Sequence, residues 1–258
     1  MKLLFIIAHK YYRKHECYTE YYINNINTFY NDNADILIVD NNSTHYQDIQ
    51  DLVSKYNNVT FIINTSDSKF ELGAYRFGIN YISDKIKDYD YIIFTQDTFV
   101  LNKKYDFNNL LKNDVKACTI VAHTEYTENG NPFSFYNDEI KIILEKINMY
   151  NKLDKTLLCW CGSFILHSSS ISNFMKFTNH IKIITKMEAE ASERYLGRIL
   201  YELNNHKNFN IDGNFLELKY NPNNNMISSL YFKSLFSNYL NEHYFHKLLN
   251  KKNEFTKD

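Results

Sequence analysis

The sequence predicts an α/β protein built on one mixed, mostly parallel sheet that is flanked by helices. In the first hundred residues, short runs of β-branched and aromatic residues alternate with segments of helical periodicity. Strands that are apolar on both faces are typical of parallel sheets covered by helices on both sides. Only two prolines and six glycines occur among the 258 residues, so no flexible linker divides the chain. We therefore expect a single domain.

The elements of the first half follow in chain order. Four apolar runs predict strands: Leu3–Ile7, Ile36–Val39, Phe61–Ile63 and Tyr91–Phe94. Apolar residues at helical spacing predict a helix after each of the first three strands, and they begin at Tyr18, Ile49 and Tyr75. Thr44 and Gln47 have the spacing of a capping box before the second helix. Right-handed crossovers should join these strands.

In the second half the alternation loosens, which predicts that the sheet becomes mixed. Strands are predicted at Ala117–Ala122 and at Leu157–Leu166, the latter interrupted at Gly162. Helices are predicted at Ile140–Ile147, at about Glu188–Leu203 and at Ile227–Leu249. Residues 1–220 should form the domain, and residues 221–258 a C-terminal helix and tail.

Composition excludes several classes of protein. A formal net charge of −1 argues against a protein that coats nucleic acid, and 44% hydrophobic residues argue against a disordered chain. No apolar run is long enough to span a membrane, and the apolar start is too short for a signal peptide, so we expect a cytoplasmic protein. Cys159 and Cys161 should share one face of a strand as reduced, buried thiols, without disulfides or structural zinc.

The predicted site lies where parallel strands end, because open α/β sheets bind ligands beyond the carboxyl ends of their strands. Asp40 directly follows the second strand, where its carboxylate can accept from a nucleobase or a ribose hydroxyl. Asp97 follows the fourth strand, where it can bind a divalent cation. A simple Asx turn explains either residue equally well, and that interpretation stays open.

Three segments, Ile36–Ser43, Glu71–Ile79 and Tyr91–Thr98, together resemble the nucleotide-sugar-binding half of the GT-A fold glycosyltransferases, closest to family 2. The resemblance implies a Rossmann-like GT-A domain, with residues 1–101 as the nucleotide-sugar half and 102–220 as the acceptor half. It also implies that Asp40 contacts the base, usually uracil, and that Asp97 binds the ribose and a Mn²⁺ or Mg²⁺ ion. The family has two acids at the fourth strand, whereas Thr95-Gln96-Asp97 has one.

Other residues are candidates for the same site. His9 can line the nucleotide pocket, and Arg76 can neutralise the diphosphate, although a solvated helix arginine is the simpler interpretation. Glu193 or Glu190 is the candidate base that deprotonates the acceptor, although an ion-pair ladder on a surface helix explains them too. Trp160 is the candidate acceptor-binding residue, by stacking on a sugar. His243 and His246 have a spacing that would allow a shared metal, but exposed helix histidines are the more ordinary interpretation.

The resemblance predicts a hexosyltransferase that moves a sugar from a nucleotide-sugar donor, with UDP as the expected carrier, to a hydroxyl of a glycan or other acceptor, with inversion. A nucleotidyltransferase is the first alternative; it normally has a glycine-rich, basic loop after the first strand, and residues 8–14 are basic but lack glycine. A degenerate GT-A domain that binds a sugar nucleotide or a partner without turnover is the second. Its final helix would then dock a partner or a membrane surface.

Overall fold

The computed structural model describes residues 1–10, 19–97, 99–101, 103–120, 122–124, 142, 145, 157–211 and 245–247. The strands are β1 (Leu3–His9), β2 (Ala34–Asp40), β3 (Val59–Ile63), β4 (Tyr91–Gln96), β5 (Phe99–Leu101), β6 (Ala117–Thr119), β7 (Ala122–Thr124), β8 (Leu157–Cys159), β9 (Phe164–His167) and β10 (Phe245–Lys247). The helices are α1 (Thr19–Tyr30), α2 (Tyr46–Val53), α3 (Phe70–Tyr81), α4 (Asn108–Lys112), α5 (Ile171–Thr178) and α6 (Lys186–Leu203).

A six-stranded sheet with the order β3-β2-β1-β4-β9-β6 forms the centre of the molecule. The first four of these strands are mutually parallel. β9 runs antiparallel to both β4 and β6, so the sheet is mixed as predicted. Two short antiparallel pairs, β10 with β5 and β7 with β8, lie outside this sheet.

Both faces of the sheet are buried, which explains why its strands are continuously apolar. Along β1, Leu4 and Ile6 belong to the core under α3, α5 and α6, whereas Phe5 and Ile7 belong to the core under α1, α2 and α4. Tyr75 of α3 packs edge-on against Phe94 of β4, with ring centroids 5.2 Å apart. The α/β prediction and its single layered domain are confirmed.

The order of the strands creates a switch point between β1 and β4. From β1 the chain moves outward through β2 and β3, and it then returns to the other side of β1 to form β4. The connections on the two sides of this point leave in opposite directions, so a crevice opens beyond the carboxyl ends of β1 and β4. The fold thereby positions the candidate site.

Several local predictions differ from the structure. The predicted strand Ala117–Ala122 is two strands, β6 and β7. The interruption at Gly162 is confirmed by the short 3₁₀ turn Trp160–Gly162 between β8 and β9. Cys161 has a positive φ of 55° in this turn, so it does not share a strand face with Cys159, although both cysteines are buried and neither forms a disulfide.

The helix starts also need correction. His45 is the N-cap residue of α2, and its side chain makes no capping hydrogen bond. Gln47 donates to Asp51 and does not form the predicted capping box with Thr44. A capping box occurs at α6, where Thr185 accepts from the backbone N–H of Glu188 and the Glu188 carboxylate accepts in return. These backbone hydrogen bonds lower the pKa of Glu188.

The C-terminal predictions fall mostly outside the described residues. Within the predicted helix Ile227–Leu249, residues 245–247 form strand β10, which pairs with β5, so a continuous helix is wrong at that point. The boundary at residue 220 and most of the predicted helix Ile140–Ile147 also lie outside the described residues. Among the described helices, none is long and apolar enough to cross a membrane.

Candidate functional site

A cleft of about 370 Å³ opens where β1, β2 and β4 end, at the switch point of the sheet. The end of β4 contributes Asp97, the turn after β2 contributes two asparagines, and the start of α3 contributes a lysine, a phenylalanine and a glutamate. The described residues that line it are Ala8, His9, Lys10, Asn41, Asn42, Lys69, Phe70, Glu71, Gln96, Asp97 and Ile184.

Asp40 lies behind this cleft and does not line it. Its side chain is fully buried, and its Oδ1 and Oδ2 accept from the backbone N–H of Ser43 at 3.1 and 2.9 Å. Burial raises the pKa of Asp40, but the hydrogen bonds from His9 and Ser43 lower it more, so the net pKa is below its ordinary value. Asp40 therefore closes a turn as a buried carboxylate, and the turn interpretation describes its contacts.

His9 is 1% exposed and lies between the two predicted acids. Its Nδ1 is 3.6 Å from Oδ1 of Asp40, and its Nε2 is 3.8 Å from Oδ2 of Asp97. The imidazole therefore connects a buried carboxylate to one at the cleft. Asp40 and Asp97 therefore lie at the same edge of the sheet, as predicted, but the side chain of His9 separates them.

Asp97 is the acid that reaches the cleft, where its side chain is 19% exposed. Its Oδ2 accepts from the backbone N–H of Lys10 at 2.9 Å, and its own N–H donates to the carbonyl of Ala8. The neighbouring Gln96 also lines the cleft, and its amide donates to Glu71 and to the carbonyl of Cys161. The motif around Asp97 thus presents one carboxylate to a ligand.

Two lysines lie at the cleft; sequence analysis placed Lys10 in the basic segment after the first strand without giving it a role, and it did not single out Lys69. Nζ of Lys10 donates to the carbonyls of Asn41 and Asn42 at 2.8 and 2.6 Å. Nζ of Lys69 donates to the carbonyl of Asn64 at 2.9 Å. Lys10 directly follows β1, a signal that sequence analysis could have used. Lys69 reaches the site only because α3 begins beside the ends of β2 and β3.

The start of α3 is held in an unusual conformation. Phe70 has a φ of 56°, in the left-handed region that costs a bulky residue about 1–2 kcal/mol. Nδ2 of Asn41 donates to the carbonyl of Phe70 at 3.0 Å, and the N–H of Lys69 donates to the carbonyl of Ile183 at 2.7 Å. A Cβ on Gly73 would lie 2.4 Å from the backbone of Ser68, so this turn requires glycine there.

Arg76 is on α3 but does not line the cleft as the described residues define it. Its Nη1 donates to the carbonyls of Thr178 and Ile181, at the end of α5. Burial lowers the pKa of Arg76 from its ordinary value. Arg76 therefore links α3 to the end of α5. These contacts differ both from the predicted diphosphate contact and from a solvated helix arginine.

The two candidate bases lie on α6 and are absent from the cleft lining that the described residues form. Oε1 of Glu190 is 3.5 Å from Nζ of Lys186, which lies one turn earlier on the helix. Glu193 lies close enough to Cys159 of β8 for its negative charge to act on the thiol. Burial and this charge both raise the pKa of Cys159. Trp160 belongs to the turn after β8, but its side chain is outside the described residues, as is His243; of His246 only the backbone in β10 is described.

The described side chains do not by themselves form a site for Mn²⁺ or Mg²⁺. Within this part of the chain, no three His, Cys, Asp or Glu residues are grouped to hold a metal ion. Asp97 alone would leave most ligand positions of a divalent cation to phosphate oxygens and water. A metal ion at Asp97 therefore stays a prediction.

Comparisons with known proteins give similarity of fold. No protein-family model and no curated protein sequence matches the chain. One similar solved structure is a 4-diphosphocytidyl-2C-methyl-D-erythritol synthase from Anaerococcus prevotii, with 10% identity, a TM-score of 0.49, and coverage of 92% of this chain and 96% of that one. Another is a cytidylyltransferase from Leptospira borgpetersenii, with 8% identity, a TM-score of 0.44, and coverage of 81% and 75%.

The prediction of a hexosyltransferase finds no support in these comparisons and is withdrawn. Both proteins are named for cytidyl chemistry, and neither is named for sugar transfer. Transfer of a sugar to a glycan, and UDP as its carrier, have no support from them. No residue role is transferred from either protein at these identities.

Proposed function

We propose that the cleft binds a nucleoside triphosphate and that the protein is a nucleotidyltransferase. The position of the cleft supports this, because nucleotide ligands of open α/β sheets bind at the switch point beyond the carboxyl ends of the strands. Its volume of about 370 Å³ is within the usual range for a small-molecule site.

The observation that carries the proposal is the pair of ammonium groups that lie in this cleft beside the carboxylates of Glu71 and Asp97. Backbone carbonyls hold Nζ of Lys10 and of Lys69, so both positive charges are positioned before a ligand arrives. Prepositioned positive charge favours a polyphosphate over a neutral ligand. The sequence adds Arg13 and Lys14 in the segment after β1.

The turn after β2 holds Lys10 in the cleft without the help of a glycine. Asn42 has a φ of 59° and takes the left-handed conformation that a glycine would otherwise supply. Asparagine tolerates this conformation better than most residues. The turn after β2 thus brings the carbonyls of Asn41 and Asn42 to Lys10 without a glycine.

In the proposed reaction an oxygen of the acceptor attacks the α-phosphorus of the triphosphate. A new P–O bond forms, the bond between the α-phosphorus and the bridging oxygen breaks, and pyrophosphate leaves with the electron pair. Lys10 and Lys69 would neutralise the charge that develops on the leaving group. The Asp97 carboxylate would accept from a ribose hydroxyl and orient the nucleotide.

The test begins with calorimetric titration of the full chain with each of the four ribonucleoside triphosphates, in the presence of Mg²⁺. Pyrophosphate release is then measured with a panel of phosphorylated sugars and sugar alcohols as acceptors. Lys10→Met should weaken triphosphate binding, whereas Lys112→Met, at an exposed lysine of α4 outside the cleft lining, should not.

The outcomes separate the proposed classes. Binding together with acceptor-dependent pyrophosphate release supports a nucleotidyltransferase. Binding without release with any acceptor supports a nucleotide-binding domain without turnover, a reading favoured by the single carboxylate at Asp97. Absence of binding by the wild-type chain refutes the nucleotide site itself.

A further inference from the structure

One wall of the cleft is apolar, whereas the other described residues that line the cleft are charged or polar, apart from Ala8. Phe70 lines the cleft as a partly buried side chain that also packs against the core. Ile184 lines the same cleft and is 56% exposed, so its aliphatic side chain is available to a ligand. We call these two residues the apolar wall.

The apolar wall is built from distant parts of the chain that backbone contacts hold together. The N–H of Lys69 donates to the carbonyl of Ile183 at 2.7 Å, and the N–H of Ile183 donates to Oγ of Ser68 at 3.0 Å. These bonds fix the segment before α6 beside the start of α3. The exposure of Ile184 is therefore imposed by the fold, and it does not result from a free loop end.

We infer that the apolar wall is the nucleobase-binding surface of the cleft and that Phe70 and Ile184 determine affinity for the base. The inference rests on the proposed function, which assigns the phosphates to Lys10 and Lys69. A nucleoside triphosphate has a flat, weakly polar end and a charged end, and the cleft has surfaces of both kinds. Aromatic side chains bind any of the nucleobases, because every base has a π face on which the ring can stack.

The backbone at Phe70 supports a fixed position for this wall. Asn41 holds the carbonyl of Phe70, and Asn41 in turn accepts from the amide of Asn64, which is 1% exposed. The residue therefore stays in its left-handed conformation, with φ 56°, before a ligand binds. A base would meet a preformed surface, which lowers the entropy that binding must lose.

The experiment compares two probes by calorimetry on the full chain. The probes are the nucleoside triphosphate that binds the wild type best and inorganic tripolyphosphate, which has no base. Phe70→Leu should weaken triphosphate binding roughly 10- to 100-fold and leave tripolyphosphate binding unchanged. Phe70→Tyr, which keeps an aromatic ring, should retain affinity for both probes.

Two further variants protect the test against effects on folding. Ile184→Ser changes an exposed side chain, so it should fold normally and weaken triphosphate binding by roughly fivefold. Tyr81→Leu removes an aromatic ring that is 59% exposed at the end of α3 and should change neither affinity. Thermal melts establish that each variant is folded.

The failures of the two proposals are distinguishable. If the wild type binds no nucleoside triphosphate, the proposed function and this inference both fail. If it binds one and both Phe70→Leu and Ile184→Ser retain that affinity, only the inference fails. Equal weakening of triphosphate and tripolyphosphate by Phe70→Leu also overturns the inference, because the effect would then concern the phosphates.

Discussion

The buried carboxylate of Asp40 should stabilise the fold, and Asp40→Asn should lower the free energy of unfolding by about 2 kcal/mol at neutral pH. A hydrogen bond to a charged group contributes about 1.5–3 kcal/mol net. In the structure both carboxylate oxygens accept from Ser43, and Oδ1 also faces His9 at 3.6 Å. An asparagine keeps one of the two oxygens, so one of these partners would face an amide N–H₂ group.

The pH dependence of this loss follows from the direction of the pKa shift. Burial raises the pKa of Asp40, and the hydrogen bonds from His9 and Ser43 more than reverse that effect, so the folded-state pKa lies below the unfolded one. The stabilisation is therefore complete above the unfolded pKa of about 3.9 and is lost as the pH falls through the folded pKa. The difference between wild type and variant should stay nearly constant from pH 7 down to about pH 5 and should shrink only as the pH falls below the unfolded pKa.

Urea unfolding followed by circular dichroism at several pH values measures this difference, and thermal melts provide a second readout. For a domain of this size, a loss of about 2 kcal/mol corresponds to a decrease in Tm of about 4–8 °C. Asp48→Asn, at an exposed acid on α2, is the matched control and should change stability by less than about 0.5 kcal/mol. Equal stability of wild type and Asp40→Asn at pH 7, or a difference that does not vary with pH, would refute the reasoning.

Substitutions at four further positions test other parts of the structure. Gly73→Ala should destabilise by about 3 kcal/mol in thermal or urea unfolding, because its Cβ would lie 2.4 Å from the backbone of Ser68; a wild-type melt would contradict this. Arg76→Met removes two hydrogen bonds to carbonyls, so it should lower unfolding stability by about 2 kcal/mol and leave triphosphate affinity in calorimetry unchanged; weaker binding would return Arg76 to the site. Asp97→Asn should abolish pyrophosphate release with little change in Tm, and retained release would remove Asp97 from the mechanism. Thr185→Ala should lower the free energy of unfolding by about 1 kcal/mol, because the capping box is lost, whereas Thr185→Ser should keep the stability of the wild type. Equal melting temperatures for the alanine and serine variants would show that the cap does not stabilise the helix.

The parallel half of the fold was predictable because three of its four strands, β1, β2 and β4, are buried on both faces. Continuous apolar runs at β1, β2, β3 and β4 are a strong signal, and helical spacing between them implies crossovers. β10 was not predictable, because a strand of three residues within a helical pattern has almost no periodicity of its own. Its pairing with β5 is a tertiary effect.

The candidate site was predictable in position but only partly in composition. The rule for open sheets brings Asp40 and Asp97 to the same edge, and the structure does so. The sequence does not indicate that Asp40 turns inward, because this depends on the backbone turn that brings the N–H of Ser43 onto its carboxylate. Ile184 was missed since it reaches the cleft through hydrogen bonds to residues far away in the chain.

The central place of β1 in the sheet also determines when the binding cleft is completed during synthesis. β1 can pair with β2 as soon as residue 40 is available, but its other edge stays bare until β4 has emerged. The segment around residue 184 is added later still. A nascent chain on the ribosome therefore has an exposed edge on β1 until residue 96 has emerged and an incomplete cleft until the segment around residue 184 follows, so a ligand of the cleft would stabilise the chain only after that point.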